Sequence, residues 1–303
     1  MTESTIHEQR TNIVTYRSVY APGLFKDQVI VVTGGGSGIG RCTAHELASL
    51  GAHVAILGRN PEKLEHVRDE ISTDGGSVST HVTDIRDEDT VIETVDTVLR
   101  DHGRIDGLVN NAGGQYRAPL KTITTKGFDA VVRTNLTGGF IVMREVYNRW
   151  MADHGGSIVS MIADIWHGWP HFSHSAASRG GMLTLSESAA TEWAESGVRV
   201  NTVAPGSIAS SGLDTYDAKD TAFIQDGVSP HIPLQRFGTE SEVSAAIVFL
   251  LSPAASFITG SCVRIDGGAP NARRGWWELQ PARNNEPFNG FHRAALPTIL
   301  ANR

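Results

Sequence analysis

The fold of this chain is decided by one stretch of sequence, Thr33-Gly34-Gly35-Gly36-Ser37-Gly38-Ile39-Gly40. The unbroken apolar run before it, Val29–Val32, is typical of a strand buried on both faces, and helical periodicity follows from Arg41 to Ala48. Only glycine permits both the tight turn and the close approach of a phosphate to N–H groups at a helix N-terminus. Tight turns alone also select glycine, but the strand–turn–helix context predicts a nucleotide-binding loop.

The alternation of strand and helix continues along the chain. Predicted strands are Val29–Val32, His53–Leu57, Val78–Val82, Leu108–Val109, Ser157–Met161, Val198–Val203 and Ser261–Ile265. Predicted helices are Arg41–Ala48, Pro61–Ile71, Asp87–His102, Gly127–Asp153, Ser175–Ser196 and Ser241–Leu251. This rhythm predicts an α/β fold, a doubly wound parallel sheet of the Rossmann type. We expect a single domain over residues 28–268, with an N-terminal arm (1–27) and a C-terminal tail (269–303).

Composition excludes several classes of protein. The chain has 303 residues, 40% of them hydrophobic and 19% charged, which is typical of a globular protein and not of a disordered or fibrous one. A net charge of −7 argues against nucleic acid or an anionic membrane as partner. No segment has the character of a signal peptide or a membrane span, so a cytoplasmic location is expected. Cys42 and Cys262 are interpreted as buried hydrophobic residues, and no metal site is predicted.

Short polar segments follow several predicted strands. They are Asp84-Ile85, Asn110-Asn111-Ala112-Gly113 and Asn201-Thr202-Val203-Ala204-Pro205-Gly206, and Asn135 lies in the long central helix. Each alone would be a helix cap or a turn. Together, at the carboxyl ends of parallel strands, they indicate a ligand-binding edge of the sheet.

With these residues the chain resembles the short-chain dehydrogenase/reductase family over about residues 24–268. The resemblance implies a nicotinamide dinucleotide cofactor and a homotetramer assembled through the long helices. The cofactor-binding residues that it implies are Gly34, Ser37, Gly38, Ile39, Gly40, Asp84, Ile85, Asn111, Ala112, Gly113, Arg179, Pro205, Gly206 and Ile208.

The end of the second strand predicts which cofactor is bound. Members of the family that prefer NAD place a carboxylate there, on the ribose 2′-hydroxyl. This chain has Gly58 and Arg59 instead, and a guanidinium can pair with a 2′-phosphate. NADP(H) is therefore favoured over NAD(H), the alternative being that Arg59 is merely a solvated loop residue.

The family's catalytic Ser, Tyr and Lys are not all present. Counting back from Asn201 places Ser175 at the Tyr position and Arg179 at the Lys position, and Ala163 takes the place of the Ser. A guanidinium stays charged and cannot shuttle protons, although it can hold the nicotinamide ribose. Asp164, which follows the Ser position, is a candidate for the reacting end. The predicted catalytic set is Asn135, Asp164, Ser175 and Arg179.

A site that lacks the phenol of the family's catalytic Tyr is suited to a reaction that forms an enolate, because an enolate can take its proton from water. The family's trans-2-enoyl-CoA reductases share Ser and Arg at these positions, and 2,4-dienoyl-CoA reductases share the Ser. We expect an NADP(H)-dependent oxidoreductase acting on an enoyl-CoA. A bacterial group of citronellol/citronellal dehydrogenases is also similar, extending to Pro287–Ala294, which makes an alcohol–aldehyde dehydrogenase the alternative. A cofactor-binding pseudoenzyme is the third interpretation.

The C-terminal tail carries Trp276, Trp277, Phe288 and Phe291 in an irregular sequence. Such aromatic residues need a surface to bury against, either on their own domain or on a neighbouring subunit. We slightly favour contact with a neighbouring subunit over packing on the same chain.

Overall fold

The computed structural model describes residues 15–216, 224–225, 227–272 and 279–301. Its strands are β1 (Val29–Thr33), β2 (His53–Gly58), β3 (Ser77–Val82), β4 (Gly107–Asn110), β5 (Gly156–Met161), β6 (Val198–Pro205) and β7 (Cys262–Ile265). They form one seven-stranded sheet in the order β3-β2-β1-β4-β5-β6-β7, and every pairing is parallel. The predicted doubly wound sheet is confirmed. The chain reverses its winding direction between β1 and β4, where such a sheet opens a crevice at its carboxyl edge.

The helices of the described residues lie between these strands, except for the last, which follows β7. They are α1 (Gly38–Ser49), α2 (Pro61–Thr73), α3 (Glu88–His102), α4 (Thr125–Val132), α5 (Gly139–Val146), α6 (Ala152–His154), α7 (Ser173–Glu192), α8 (Glu240–Leu251) and α9 (Thr298–Ala301). Local sequence explains several starting points. At the start of α2, the side chain of Asn60 accepts a hydrogen bond from the N–H of Lys63, and Pro61 occupies the first helical position. At the start of α8, Thr239 forms a capping box with Glu242.

The long predicted helix over Gly127–Asp153 is continuous but not regular. π-helical turns at Arg133–Gly138 and Tyr147–Met151 join α4, α5 and α6. A π turn shifts the side chains that follow it around the helix axis, and such turns are frequent at functional sites. The first of the two contains Asn135, a predicted catalytic residue.

Two hydrophobic clusters cover the faces of the sheet, and they include the strand residues Val32 and Val203 on one face and Val31 and Ala204 on the other. Cys42 is fully buried, as predicted. Cys262 is only partly buried because β7 is the edge strand of the sheet, so the prediction of a buried side chain is wrong there. Among the described residues, no helix is both long enough and apolar enough to span a membrane.

The described parts of the arm and tail pack on the domain itself. Phe291 is 2% exposed, stacks on Tyr16 with 5.9 Å between ring centroids and covers Cys42. The buried carboxylate of Glu46 accepts hydrogen bonds from arm residues Tyr16 and Ser18. For Phe291, packing on its own chain replaces the expected subunit contact, because the arm and α1 supply its apolar surface. Trp276 and Trp277 lie outside the described residues.

Candidate active site

A cleft of about 1760 Å³ lies along the carboxyl edge of the sheet. Most of the predicted site residues line it, including those of the glycine-rich loop and of the loop after β6. The members of that set are Gly34, Ser37, Gly38, Ile39, Gly40, Arg59, Asp84, Ile85, Asn111, Ala112, Gly113, Asp164, Arg179, Pro205, Gly206 and Ile208. Asn135 and Ser175 are buried, and they form hydrogen bonds with Gly114 and Gln115 of its lining.

The glycine-rich loop has the geometry that a diphosphate requires. A Cβ on Gly40 would overlap the carbonyl oxygen of Gly34, so a larger residue cannot bring the start of α1 this close to β1. Gly34 itself has a φ of +68°, which favours glycine. Ser37 is the N-cap of α1 but its side chain accepts no capping hydrogen bond. The N–H groups in the first turn of α1 are therefore available to bind an anion. The loop therefore fits the diphosphate of a dinucleotide.

Asn111 holds that loop against the loop after β4. Its side-chain amide donates to the carbonyl of Thr33 at 2.9 Å, and its N–H donates to the Thr33 hydroxyl at 2.9 Å. The N–H of Ala112 donates to the same hydroxyl, also at 2.9 Å. These bonds fix the relative position of the two loops that would contact the cofactor.

The end of the cleft beside β2 is basic. Arg59 is exposed and lines the cleft. Lys63 and Arg86 also line it, and neither was predicted as a site residue. Arg86 forms a bidentate ion pair with Asp84 and lowers the pKa of that carboxyl to about 2. Asp84 therefore stays ionised, and Arg59 is the cation at the position where the family selects between cofactors. Lys63 could have been found from its place one turn into the helix that follows β2.

Asn135 and Arg179 meet beside Gly113. The Asn135 amide binds both backbone groups of Gly114, accepting from its N–H at 2.8 Å and donating to its carbonyl at 2.9 Å. Arg179 donates to the carbonyl of Met161 at 2.6 Å, and a Cβ on Gly113 would overlap its guanidinium. Burial lowers the pKa of Arg179 to about 10, so it remains a cation at neutral pH.

Ser175 faces the same loop. Its hydroxyl is fully buried and donates to the side-chain carbonyl of Gln115 at 2.7 Å. The Gln115 amide nitrogen in turn donates to the phenol oxygen of Tyr216 at 3.1 Å. Gln115 and Tyr216 were not predicted as site residues, because their connection to Ser175 runs across three separate segments of the chain.

Asp164 is separated from this group. It lines the cleft, but no hydrogen bond in the described chain connects its carboxylate with Asn135, Ser175 or Arg179. One carboxylate oxygen is buried without a partner. Burial, and then the nearby charge of Asp266, raise the pKa of Asp164 above its usual range.

Among the described residues, one group of side chains away from the cleft could hold a metal ion. Donor atoms of His45, Asp74 and His292 lie within 4.8 Å of one another. Arg293 already donates to both oxygens of Asp74, which balances the carboxylate charge. We interpret this group as the polar contact that holds the tail against α1 and the end of α2. The absence of a metal stays a prediction.

Comparisons with known proteins agree with this geometry. A family model described as enoyl-(acyl carrier protein) reductase matches residues 34–270. The chain is 37% identical over 257 residues to a peroxisomal 2,4-dienoyl-CoA reductase of Danio rerio, a match that covers 84% of this chain and 85% of that protein. The chain belongs to the short-chain dehydrogenase/reductase family. It is therefore an oxidoreductase, and the cofactor of its family is NAD(P).

Other members of the short-chain dehydrogenase/reductase family are similar over comparable lengths. A probable 2,4-dienoyl-CoA reductase of Bacillus subtilis is 35% identical, covering 80% of this chain and 96% of that protein. The solved structure of a citronellol catabolism dehydrogenase of Pseudomonas aeruginosa, AtuB, is 55% identical with a TM-score of 0.77, covering 84% of this chain and 100% of that one. Both resemblances in the sequence analysis, to enoyl-CoA-acting and citronellol-related proteins, are confirmed.

We expect the stability of the fold to depend on pH through Glu240, which faces the glycine-rich loop. A Cβ on Gly38 would lie 3.9 Å from its carboxylate, and burial raises its pKa from 4.5 to about 7. The folded state then holds this proton more tightly than the unfolded one, so the free energy of unfolding falls as pH rises from 4.5 to about 7. Glu240→Gln should raise Tm relative to wild type at about pH 8 and much less at about pH 5.

Thermal denaturation at the two pH values measures this difference. Glu62→Gln is the matched control, because Glu62 is exposed on α2. An equal shift in Tm at both pH values would contradict the role of Glu240.

Proposed function

We propose that this protein is an NADP(H)-dependent reductase that transfers hydride to the double bond of an enoyl-CoA. The observation that carries the proposal is the pair Ser175 and Arg179 at the positions where the family has its phenol and ammonium. Arg179 is buried and charged but cannot exchange protons at neutral pH. A ketone reductase must protonate an alkoxide, whereas addition of hydride to an enoyl thioester gives an enolate that needs only a hydrogen bond and a proton.

In this proposal the nicotinamide supplies the hydride when bound. Arg179, held by the carbonyl of Met161, anchors the adjacent ribose and favours the developing negative charge. Asn135 fixes the loop at Gly114, so that this loop would hold the cofactor and substrate in a defined position. The glycine-rich loop and the loop after β6, with Pro205, Gly206 and Ile208, hold the rest of the dinucleotide.

The position of the Ser175 proton changes one part of the expected mechanism. A hydroxyl has one proton, and that of Ser175 is donated to Gln115. Ser175 therefore orients Gln115 and does not itself donate to the substrate carbonyl.

The second candidate is oxidation of a citronellol-type alcohol, and the 55% identity to AtuB favours it. Nicotinamide absorbance with trans-2-decenoyl-CoA and NADPH, and separately with citronellol and NADP, distinguishes the two.

The variant Asp164→Asn sharpens the comparison. If Asp164 were the base for an alcohol, the variant would abolish citronellol oxidation. If the enoyl proposal is correct, it leaves enoyl-CoA reduction largely intact. Citronellol turnover without any enoyl-CoA activity would reverse our choice.

Cofactor choice gives a separate prediction. Arg59 lines the cleft and Gly58 offers no carboxylate, so we expect NADPH to bind at least about tenfold more tightly than NADH, about 1.4 kcal/mol. Arg59→Asp should remove this preference, because it replaces the cation for a 2′-phosphate by an acceptor for a 2′-hydroxyl. Titration by nicotinamide fluorescence measures both affinities. Arg100→Asp makes the same charge change on exposed α3 and should leave them unchanged. Equal wild-type affinities would refute the preference.

The homotetramer and the cytoplasmic location remain predictions. Phe257 is fully exposed in the loop before β7, an apolar surface of the kind that subunit contacts bury. Light scattering at micromolar concentration would establish the oligomeric state.

A further inference from the structure

The substrate end of the cleft contains a phenol that does not come from the family's usual position. Tyr216 lies directly after the short 3₁₀ helix Ser211–Thr215, in the segment that follows β6. Its ring packs edge-on against Phe172 with 6.1 Å between centroids, and both rings line the cleft. The phenol oxygen accepts the hydrogen bond from Gln115. A tyrosine from another element thus reaches the surroundings of Ser175, where the family's own tyrosine would be.

The hydrogen bonds have a defined direction. Ser175 donates to the carbonyl of Gln115, which leaves the Gln115 amide nitrogen as the donor toward Tyr216. A phenol can accept one hydrogen bond and still donate its own proton, and the accepted bond also stabilises the phenolate. Gln115 in turn is held in place because Asn135 binds both backbone groups of the preceding Gly114. The arrangement orients a proton donor at the reacting end of the cleft.

We propose that Tyr216, oriented by Ser175 through Gln115, is the proton donor of the reaction. This inference rests on the proposed enoyl-CoA reduction. Hydride from NADPH forms the new C–H bond at Cβ, and the electron pair of the double bond becomes the enolate. The O–H bond of Tyr216 then breaks as its proton bonds to Cα. The phenolate takes a proton from water, so one NADPH and one solvent proton are consumed for each saturated thioester formed.

The test compares Tyr216→Phe with wild type, using trans-2-decenoyl-CoA and NADPH. We expect kcat to fall at least about tenfold while NADPH affinity is unchanged. General acid catalysis contributes about a hundredfold or more, and protonation of the enolate by water would make up part of the loss. The fall of kcat at alkaline pH, which a phenol acid imposes on the wild type, should be absent from the variant. Tyr116→Phe is the matched control, because Tyr116 is a partly exposed neighbour that packs against His174.

Gln115→Leu tests how Tyr216 is oriented. It removes both hydrogen bonds of the amide and should lower kcat, and adding Tyr216→Phe should cost little more, because the two residues act as a unit. Additive losses would show that Gln115 acts independently of Tyr216. A purely structural role for Tyr216 would lower Tm without changing the shape of the pH profile.

Failure of the proposed function and failure of this inference give different results. A wild type that reduces the enoyl thioester, with Tyr216→Phe equal to it in kcat and pH profile, overturns the inference alone. A wild type that oxidises citronellol but reduces no enoyl-CoA overturns the proposed function. In that case the same variants measured with citronellol decide whether Tyr216 exchanges the proton of the alcohol. A wild type that turns over neither substrate contradicts both.

Discussion

Arg179→Ala should lower kcat/KM for NADPH-dependent reduction of trans-2-decenoyl-CoA by about a hundredfold or more, about 2.7 kcal/mol of transition-state stabilisation. The guanidinium is buried beside Gly113 and is held by the carbonyl of Met161 at 2.6 Å. Truncation removes the cation proposed to anchor the nicotinamide ribose, and it leaves that carbonyl without its donor. Steady-state kinetics and nicotinamide fluorescence measure the two effects.

Arg179→Lys is the appropriate control, because it keeps the charge and restores the residue type that is usual in the family. We expect it to retain much more activity than the alanine variant, although a lysine lacks the second donor of the guanidinium fork. Circular dichroism establishes that the variants are folded. A loss below about fivefold for Arg179→Ala would show that the cation is not needed in the transition state.

Gly113→Ala should lower kcat/KM by about thirtyfold or more, because the new methyl group would occupy the space of the Arg179 guanidinium. The same methyl would lie 2.9 Å from the side-chain oxygen of Asn135, so both catalytic candidates would be displaced together. Gly114→Ala is a matched control on the adjacent residue, since a Cβ there meets nothing within 4 Å. Steady-state kinetics on the two variants compares them directly.

A double-mutant cycle identifies the cause of the Gly113 effect. In the Arg179→Ala background the guanidinium is absent, so Gly113→Ala should cost far less than it does in the wild type. If both alanine variants at 113 and 114 lose activity equally, the loss reflects loop flexibility and not the contact with Arg179.

The sequence was sufficient for the sheet because its inner strands are short and buried on both faces. All five residues of β1 are buried, so the apolar run alone identified it. The glycine-rich loop was equally predictable, since its residue types are required by backbone geometry that a larger side chain would block. Element ends were less certain: α7 begins at Ser173 and ends at Glu192, whereas Ser175–Ser196 was predicted, because the last residues form a separate 3₁₀ turn.

The resemblance to the family placed Asn135, Ser175 and Arg179 at the site, but it could not show what their side chains contact. The direction of the Ser175 hydrogen bond depends on Gln115, which comes from the loop after β4. The sequence likewise grouped Asp164 with these residues because it follows the family's Ser position, which is Ala163 in this chain. In the folded chain its carboxylate lies near Asp266 instead, and no hydrogen bond connects it to the group.

By itself, then, the sequence determined the sheet, the loop for the diphosphate and the residue types at the family's catalytic positions. These features depend on local backbone requirements and on burial patterns repeated along the chain, both of which are readable one segment at a time. The tertiary structure alone brought Tyr216 to Gln115 and Phe291 to Tyr16, pairs separated by 101 residues in the first case. Such contacts depend on how irregular segments pack on a finished sheet, and no periodicity in the sequence encodes them.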